Sequence, residues 1–451
     1  MTPSTAYLLL GPLALFVVLF LLGGTRRWGA TVAAAGLAVE AFACLRLPAD
    51  AGVMVLEHTV ALGGAARMGL AWAAGASALV ALVAAFLPAH APSAVFLLPV
   101  VSVAGAALAL EPGPLSLAAM GLALPLAAWL FHGRGAEAGR GASRVLPIAA
   151  VGLCAFALAD ALLTRALTAE VEQTPPWATI GVLAVVGVAA FLGLFPFAAA
   201  HRGMADAGQP LAEGWASGIL GPLVLVNLAR AVGAHPELLT AAPAHSLVLA
   251  VALTGALLGG VFAAASDRPS RTLAYTALVG MSVLFLRMVA ADGRVSATYW
   301  LGVAGYSVAV ALAAIALAVV ERDGLPLRIT DWTGAAVGDA AAVALLMVAV
   351  LGLCGMPAGV GFWAYGGQAS AMPSMPAWAQ RGLVAGPLIA AIGWWRVLWT
   401  ATRTPKEARA GSGRLASAAL WLLAAAALAT FIWPSVLLRA VSAFAAAIGS
   451  L

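Results

Sequence analysis

The sequence predicts an all-α polytopic membrane protein with about fourteen transmembrane helices, organised as one transmembrane domain over residues 1–451. Hydrophobic residues make up 63% of the chain and charged residues only 9%, whereas soluble domains have about 45–50% and about 25%. The mean hydropathy is +1.02, and apolar runs of about 20 residues, enough to cross a bilayer, recur along the chain. This composition excludes a soluble enzyme, a disordered protein and a nucleic-acid-binding protein.

Fourteen apolar runs bounded by glycine, proline or charged residues define the predicted spans, and we interpret the first as a retained span because it lacks the basic start and cleavage site of a signal peptide. The runs lie at about 5–23, 28–45, 68–87, 93–110, 114–131, 145–163, 177–197, 211–230, 244–265, 272–289, 297–320, 338–356, 378–399 and 414–433. Residues 434–451 place apolar residues at helical spacing around Arg439. This pattern predicts an interfacial C-terminal helix.

The distribution of basic residues predicts the orientation of the spans. With fourteen spans, fourteen lysines and arginines, among them Arg144, Arg202 and Arg271, fall on one side, and eight fall on the other. Basic residues concentrate in cytoplasmic loops. We therefore expect both termini on the outer, periplasmic side of a bacterial-type inner membrane.

Four motifs then occur in a fixed order. The first is GLFPF at 193–197, followed by Gln-Pro at 209–210; the second is the basic loop and span start at 267–276. The third is a small-residue span at 302–316, and the fourth is a Gly/Pro-rich segment at 352–362. Their order and spacing resemble the antiporter-like membrane subunits of respiratory complex I (NADH-quinone oxidoreductase), of multisubunit Na⁺/H⁺ antiporters and of membrane-bound hydrogenases.

This resemblance implies two inverted five-helix repeats, at about 93–240 and 244–400, each with one interrupted helix. The candidate breaks are Pro196 in the first repeat and Gly355, Pro357 and Gly359 in the second. An interrupted helix frees backbone groups that can line an ion path. A plain proline kink remains the alternative explanation for each break.

The resemblance also implies a glutamate and several lysines that pass protons across the membrane, and these residues are absent here. The positions that would hold them correspond to Ala123, Phe191, Pro222 and Ala309. The chain has one lysine, Lys406, in the loop before the last span. Arginine cannot replace lysine as a relay because it does not deprotonate at accessible pH. We therefore expect the family's proton channel to be degenerate in this chain.

Four acidic residues inside or at the ends of spans are candidates for an ion path: Glu40, Asp160, Glu213 and Asp339. An ionisable residue within the membrane is costly and by default suggests a function with a partner. Glu213 and Asp339 equally suit a position near a helix N-terminus, where a carboxylate is favourable. Glu40 and Asp160 could instead form interhelical or subunit contacts.

No other residue pattern indicates a cofactor, a metal or a catalytic site. The cysteines Cys44, Cys154 and Cys354 are widely spaced and fit small buried hydrophobic positions. The six histidines, including His201, show no metal-ligand spacing, so we assign them structural or solvated roles. The tryptophans near span ends are typical of interface anchors.

Together these observations favour a membrane-arm subunit of a complex-I-type or hydrogenase-type assembly, linked to proton or cation translocation and at most non-catalytic itself. Other membrane subunits and the lipid bilayer are the expected partners. Two alternatives stay open: a stand-alone or paired ion transporter, and the membrane subunit of an inorganic-carbon uptake complex.

Overall fold

The computed structural model describes residues 3–23, 27–46, 53–55, 58–87, 94–128, 136–168, 175–206, 210–290, 297–321, 328–356, 359, 362, 377–404 and 413–449. Helices dominate these residues. In the first half they are α1 (Pro3–Leu21), α2 (Arg27–Arg46), α3 (Gly64–Phe86), α4 (Leu97–Ala109), α5 (Pro114–Gly121), α6 (Ala123–Ala128), α7 (Ala136–Thr168), α8 (Trp177–Phe191), α9 (Ala199–Asp206), α10 (Pro210–Trp215) and α11 (Gly221–Ala234). A five-residue π-helical segment, Ala216–Leu220, joins α10 to α11.

The second half continues in the same way. Its helices are α12 (Glu237–Thr240), α13 (Ala242–Ala265), α14 (Pro269–Ala290), α15 (Ala297–Val320), α16 (Ala335–Gly338), α17 (Ala340–Leu353), α18 (Ala377–Ala401), α19 (Arg414–Ile432) and α20 (Pro434–Gly449), with a short 3₁₀ helix at Ile329–Trp332. One small antiparallel hairpin, β1 (Val53–Val55) with β2 (His58–Val60), lies before α3.

Among the described residues, the apolar helices match the fourteen predicted spans in order. Eight helices are long and apolar enough to cross a membrane, one more span is a bent helix pair, and five shorter apolar helices of 10–17 residues complete the set. The prediction of an all-α polytopic membrane protein is therefore confirmed. The proposed interfacial helix corresponds to α20, which contacts α3, α11 and α15.

Small residues bring the helices close together. A Cβ atom added at Gly260 or Gly386 would collide with the backbone of the other helix, and Gly393 meets the backbone at Ala263 in the same way. These contacts join α13 to α18 without intervening side chains. Such small-residue contacts are how helices associate in lipid, where there is no hydrophobic driving force between them.

Two helices end with the same local geometry, one in each half of the chain. Helix α8 ends at Phe191 and is followed by Gly193 with φ of +62°, while α17 ends at Leu353 and is followed by Gly355 with φ of +68°. The amide of each glycine donates to a carbonyl three residues back, and the next amide donates to one five residues back. This pairing is the Schellman motif, which favours glycine because the capping residue is left-handed.

The chain after these two ends is described to different extents. Between α8 and α9, residues 192–198 are not helical, and the Phe195–Pro196 peptide bond is cis. The predicted second break continues through Pro357, which lies outside the described residues. Gly359 is described, and a Cβ there would meet the backbone at Gly352.

A sharp bend precedes α17. The segments Ile329–Gly338 and Ala340–Leu353 meet at 116°. Asp339 occupies the bend, directly before the first residue of α17, and is 1% exposed. This placement agrees with the expectation that an acid there suits a helix N-terminus.

Candidate functional site

A buried histidine–glutamate pair lies beside the interruption between α8 and α9. Nδ1 of His201, on α9, is 3.3 Å from Oε1 of Glu213, on α10. Nε2 of the same ring is 3.1 Å from the carbonyl oxygen of Leu192, within the non-helical segment. His201 is 2% exposed and Glu213 is fully buried. Both ring nitrogens therefore face acceptor oxygens in the protein interior.

The left-handed glycine at the end of α8 makes room for this histidine. A Cβ at Gly193 would lie 2.8 Å from both Cδ2 and Nε2 of His201. Its positive φ also disfavours any residue with a side chain. Gly193 thus both ends the helix and lets the imidazole approach the backbone carbonyl of Leu192.

The π-helical segment supplies the second contact to the glutamate. Oγ of Ser217 donates a hydrogen bond of 2.7 Å to Oε1 of Glu213. Nε1 of Trp215 donates to Oγ of Ser77 on α3 at 2.7 Å, which anchors the segment on one side. On the other side, Gly214 and Gly218 lie directly against α15. Single-turn π segments occur frequently at functional sites.

A small cavity adjoins the pair. Its volume is about 20 Å³, and its lining includes His201, Ser217, Phe191 and Gly193. A cavity needs about 10–15 Å³ to hold one water molecule, together with polar partners. The imidazole and the serine hydroxyl provide such partners, so the site has room for a single water.

The arrangement can store protons. Nε2 must carry a hydrogen to donate to the Leu192 carbonyl, and one further proton lies between Nδ1 and Oε1 in the electrically neutral pair. This state is either imidazolium with carboxylate or imidazole with carboxylic acid. Oε2 of Glu213 has no hydrogen-bond partner among the described residues, so it can accept a second proton.

The four positions that the sequence comparison predicts to replace the relay are apolar and lie in the interior. Ala123 and Ala309 are fully buried, and Pro222 is buried at the start of α11. The ring of Phe191 fills the space in front of two glycines, Gly121 and Gly152, where a Cβ on either would collide with it.

The other three acidic candidates lie on separate elements. Glu40, on α2, is 2% exposed, and a Cβ at Gly11 of α1 would lie 3.9 Å from its Oε2. Asp160 is half-buried on α7, and Asp339 lies at the bend before α17. Glu213 contacts both a titratable side chain, His201, and the hydroxyl of Ser217.

The end of α9 opposite the histidine carries an ionic cluster. Asp206 lies 2.6 Å from Arg271, 3.1 Å from Arg144 and 3.5 Å from Arg202. Arg271 also pairs with Asp267 at 2.9 Å. The cluster ties α9 to α7 and α14, so the short helix is held by charge at one end and by the histidine at the other.

The sequence predicted Glu213 as a candidate, whereas His201 was interpreted as a structural or solvated residue. A usable signal existed: Arg202 and Asp206 are spaced to pair with each other at i and i+4. Because Arg202 and Asp206 pair with each other, His201 is the titratable side chain of this helix that remains to contact the buried Glu213. Among the described residues, no group of three or more histidine, cysteine or acidic side chains could hold a metal ion.

No family model and no curated protein matches the sequence. Solved structures do match, and they match over nearly the whole chain. A chain of respiratory complex I from Thermus thermophilus with bound aureothin aligns with a TM-score of 0.77 and 19% identity, covering 98% of this chain and 99% of that one.

Two further matches come from other membrane complexes. A chain of the membrane-bound sulfane sulfur reductase, an archaeal respiratory membrane complex, aligns with a TM-score of 0.81 and 14% identity, covering 98% of this chain and 97% of its own. A chain of the Mrp complex from Dietzia sp. DQ12-45-1b aligns with a TM-score of 0.76 and 15% identity, covering 99% of this chain and 97% of that one. The chain therefore shares its fold with chains of respiratory complex I, the sulfane sulfur reductase and the Mrp complex, in agreement with the resemblance that its motifs indicate.

Proposed function

We propose that this chain, with the fold of the antiporter-like membrane subunits, is a membrane-embedded subunit of a multi-subunit complex of the complex-I or hydrogenase type and is linked to proton or cation translocation. The observation that carries the proposal is the full-length likeness to chains from three different membrane complexes, at coverages of 97–99% of those chains. Each of these three chains belongs to a named complex.

The apolar relay positions bear on how the subunit would contribute. A proton cannot pass along Ala123, Phe191, Pro222 and Ala309 as it would along a glutamate and lysines, because none of these side chains ionises. We propose that the subunit has a degenerate version of the usual channel. Its role would then be mainly structural and coupling, and any proton that it takes up would have to bind at a site other than these four positions.

The paired breaks support a division into two inverted repeats, at about 93–240 and 244–400. The Schellman ends at Gly193 and Gly355 fall in corresponding fourth spans of the two segments. Interrupted helices in corresponding positions of two repeats are typical of transport proteins. The candidate breaks at Pro196, Gly355, Pro357 and Gly359 are therefore proposed as parts of ion-path geometry.

We propose an inner-membrane location with both termini on the periplasmic side. Arg144, Arg202 and Arg271, all assigned to the cytoplasmic side by charge, converge on Asp206. In a variant without Cys44, Cys154 and Cys354, a cysteine at position 450 is expected to react with a membrane-impermeant reagent added outside. Reaction only from the cytoplasmic side would contradict this orientation.

Co-purification tests the assembly. The tagged chain, extracted from its native membrane in mild detergent, is expected to bring down at least one other antiporter-like or small hydrophobic membrane subunit in a fixed ratio. A multi-subunit assembly would separate this proposal from the stand-alone alternative, and a soluble zinc protein as main partner would favour inorganic-carbon uptake. Recovery as a single monodisperse chain that moves ions alone in liposomes would overturn the proposal.

A further inference from the structure

We infer that the His201–Glu213 pair is a proton-binding site of this subunit, separate from the positions of the lost relay. The inference rests on the proposed function in one respect, since the bound proton is taken to belong to the translocation pathway. The site itself is defined by contacts within this chain: an imidazole, a carboxylate, a hydroxyl and a backbone carbonyl, all buried.

Burial excludes a purely solvated role for these groups. Burying a titratable pair inside a membrane protein costs free energy unless its two members form hydrogen bonds to each other. His201 uses both ring nitrogens and Glu213 uses Oε1 twice, for the ring and for Ser217. Oε2 of the same carboxylate remains without a hydrogen-bond partner among the described residues. A fully buried, partner-free carboxylate oxygen beside a hydrogen-bonded one indicates a place for an additional proton.

The proton balance follows from the contacts. The pair with one proton between Nδ1 and Oε1 has no net charge. Uptake of a second proton at Oε2 gives imidazolium with carboxylic acid, of charge +1, and release of the shared proton gives imidazole with carboxylate, of charge −1. In all three states Nε2 keeps its hydrogen bond to the Leu192 carbonyl, so the ring need not rotate.

The surrounding elements bring no second carboxylate into the described contacts of the pair. Helices α7 and α14, which pack against α9, contribute Arg144 and Arg271, and both are bound to Asp206 at the other end of α9. Helices α3 and α15 pack against α10 and the π-helical segment. Helix α3 contributes the hydroxyl of Ser77 to this contact, and α15 contributes Val310 and Ala314.

A small cavity beside the pair has room for one water. It touches His201 and Ser217 and has a volume of about 20 Å³. Phe191 also lines it, so that water would lie between the polar groups of the pair and an apolar ring. A water in this position would be a partner with which the pair can exchange a proton.

Infrared titration of the purified complex tests the inference directly. In the wild type, a protonated-carboxyl band and the imidazole ring bands are expected to change together over one pH interval, because the two groups share a proton. Glu213→Gln keeps the shape of the side chain and should remove the part of the carboxyl band that changes together with the imidazole bands. His201→Gln should remove the imidazole change and uncouple the two signals.

Two control variants accompany these substitutions. Glu237→Gln removes an exposed acid at the start of α12 and should leave the coupled bands unchanged. Ser217→Ala keeps both titratable groups but deletes one hydrogen bond, so the coupled change should persist at a shifted pH midpoint.

A coupled titration that persists unaltered in a folded Glu213→Gln variant would overturn the inference, as would the absence of any titrating carboxyl band in the wild type. The difference between the wild-type and Glu213→Gln spectra isolates the signal of the pair, so the measurement can be made on the chain purified alone or within a complex. Failure of co-purification would therefore contradict the proposed assembly but not the proton site. A negative infrared result with successful co-purification would contradict the proton site but not the assembly.

Discussion

Replacing Phe191 with alanine is expected to lower the free energy of unfolding by about 3–5 kcal/mol, the usual loss when a large buried ring is removed without refilling of its space. Phe191 is 5% exposed. Its ring faces Gly121 and Gly152 and lies 5.2 Å from the ring of Phe156, measured between centroids. Glycines cannot reach into the vacated volume, so the cavity would persist.

Phe86→Ala is the matched control. The Phe86 side chain lies at the end of α3 and is 76% exposed, so its removal should change stability by about 0.5 kcal/mol or less. Both variants are measured by reversible unfolding of the detergent-solubilised protein. Equal stability losses in the two variants would show that the Phe191 ring does not contribute the packing energy that its buried contacts indicate.

The fold was predictable from the sequence because its determinants are local. Apolar runs of bilayer length define the spans, and the end of α8 at Phe191 follows from the Gly193 and Pro196 that come next. The same holds for the end of α17 before Gly355. The left-handed glycine that follows each of these two helices is a local determinant of the helix end. Proline alone is not, because Pro12, Pro147 and Pro387 lie inside helices.

The pair at the candidate site was only half predictable because its determinants are not local. Glu213 was a candidate since an acid in an apolar span needs a partner. Its partner His201 lies on another helix, 12 residues earlier in the chain. Nothing in residue spacing alone shows that the chain turns back at 192–198 and brings the ring against Leu192. The π-helical turn that places Ser217 against Glu213 is equally invisible in the apolar pattern.

Loss of proton movement on removing the buried pair is the second large effect that we expect. If His201 and Glu213 bind the proton that this subunit handles, Glu213→Gln and His201→Gln should each abolish the contribution of the subunit, because neither amide can take up and release a proton. Assembly should remain near normal, since glutamine keeps the size and most of the hydrogen bonding of glutamate.

Proton movement by the purified complex in sealed liposomes, followed with a pH-sensitive dye, is the most direct test. Wild type and the exposed-acid variant Glu237→Gln should move protons at the same rate. In complexes that carry Glu213→Gln or His201→Gln, the rate of proton movement should fall by the whole amount that this subunit contributes in the wild type. The subunit composition should be unchanged. Wild-type rates in a fully assembled complex that carries both substitutions would contradict the account.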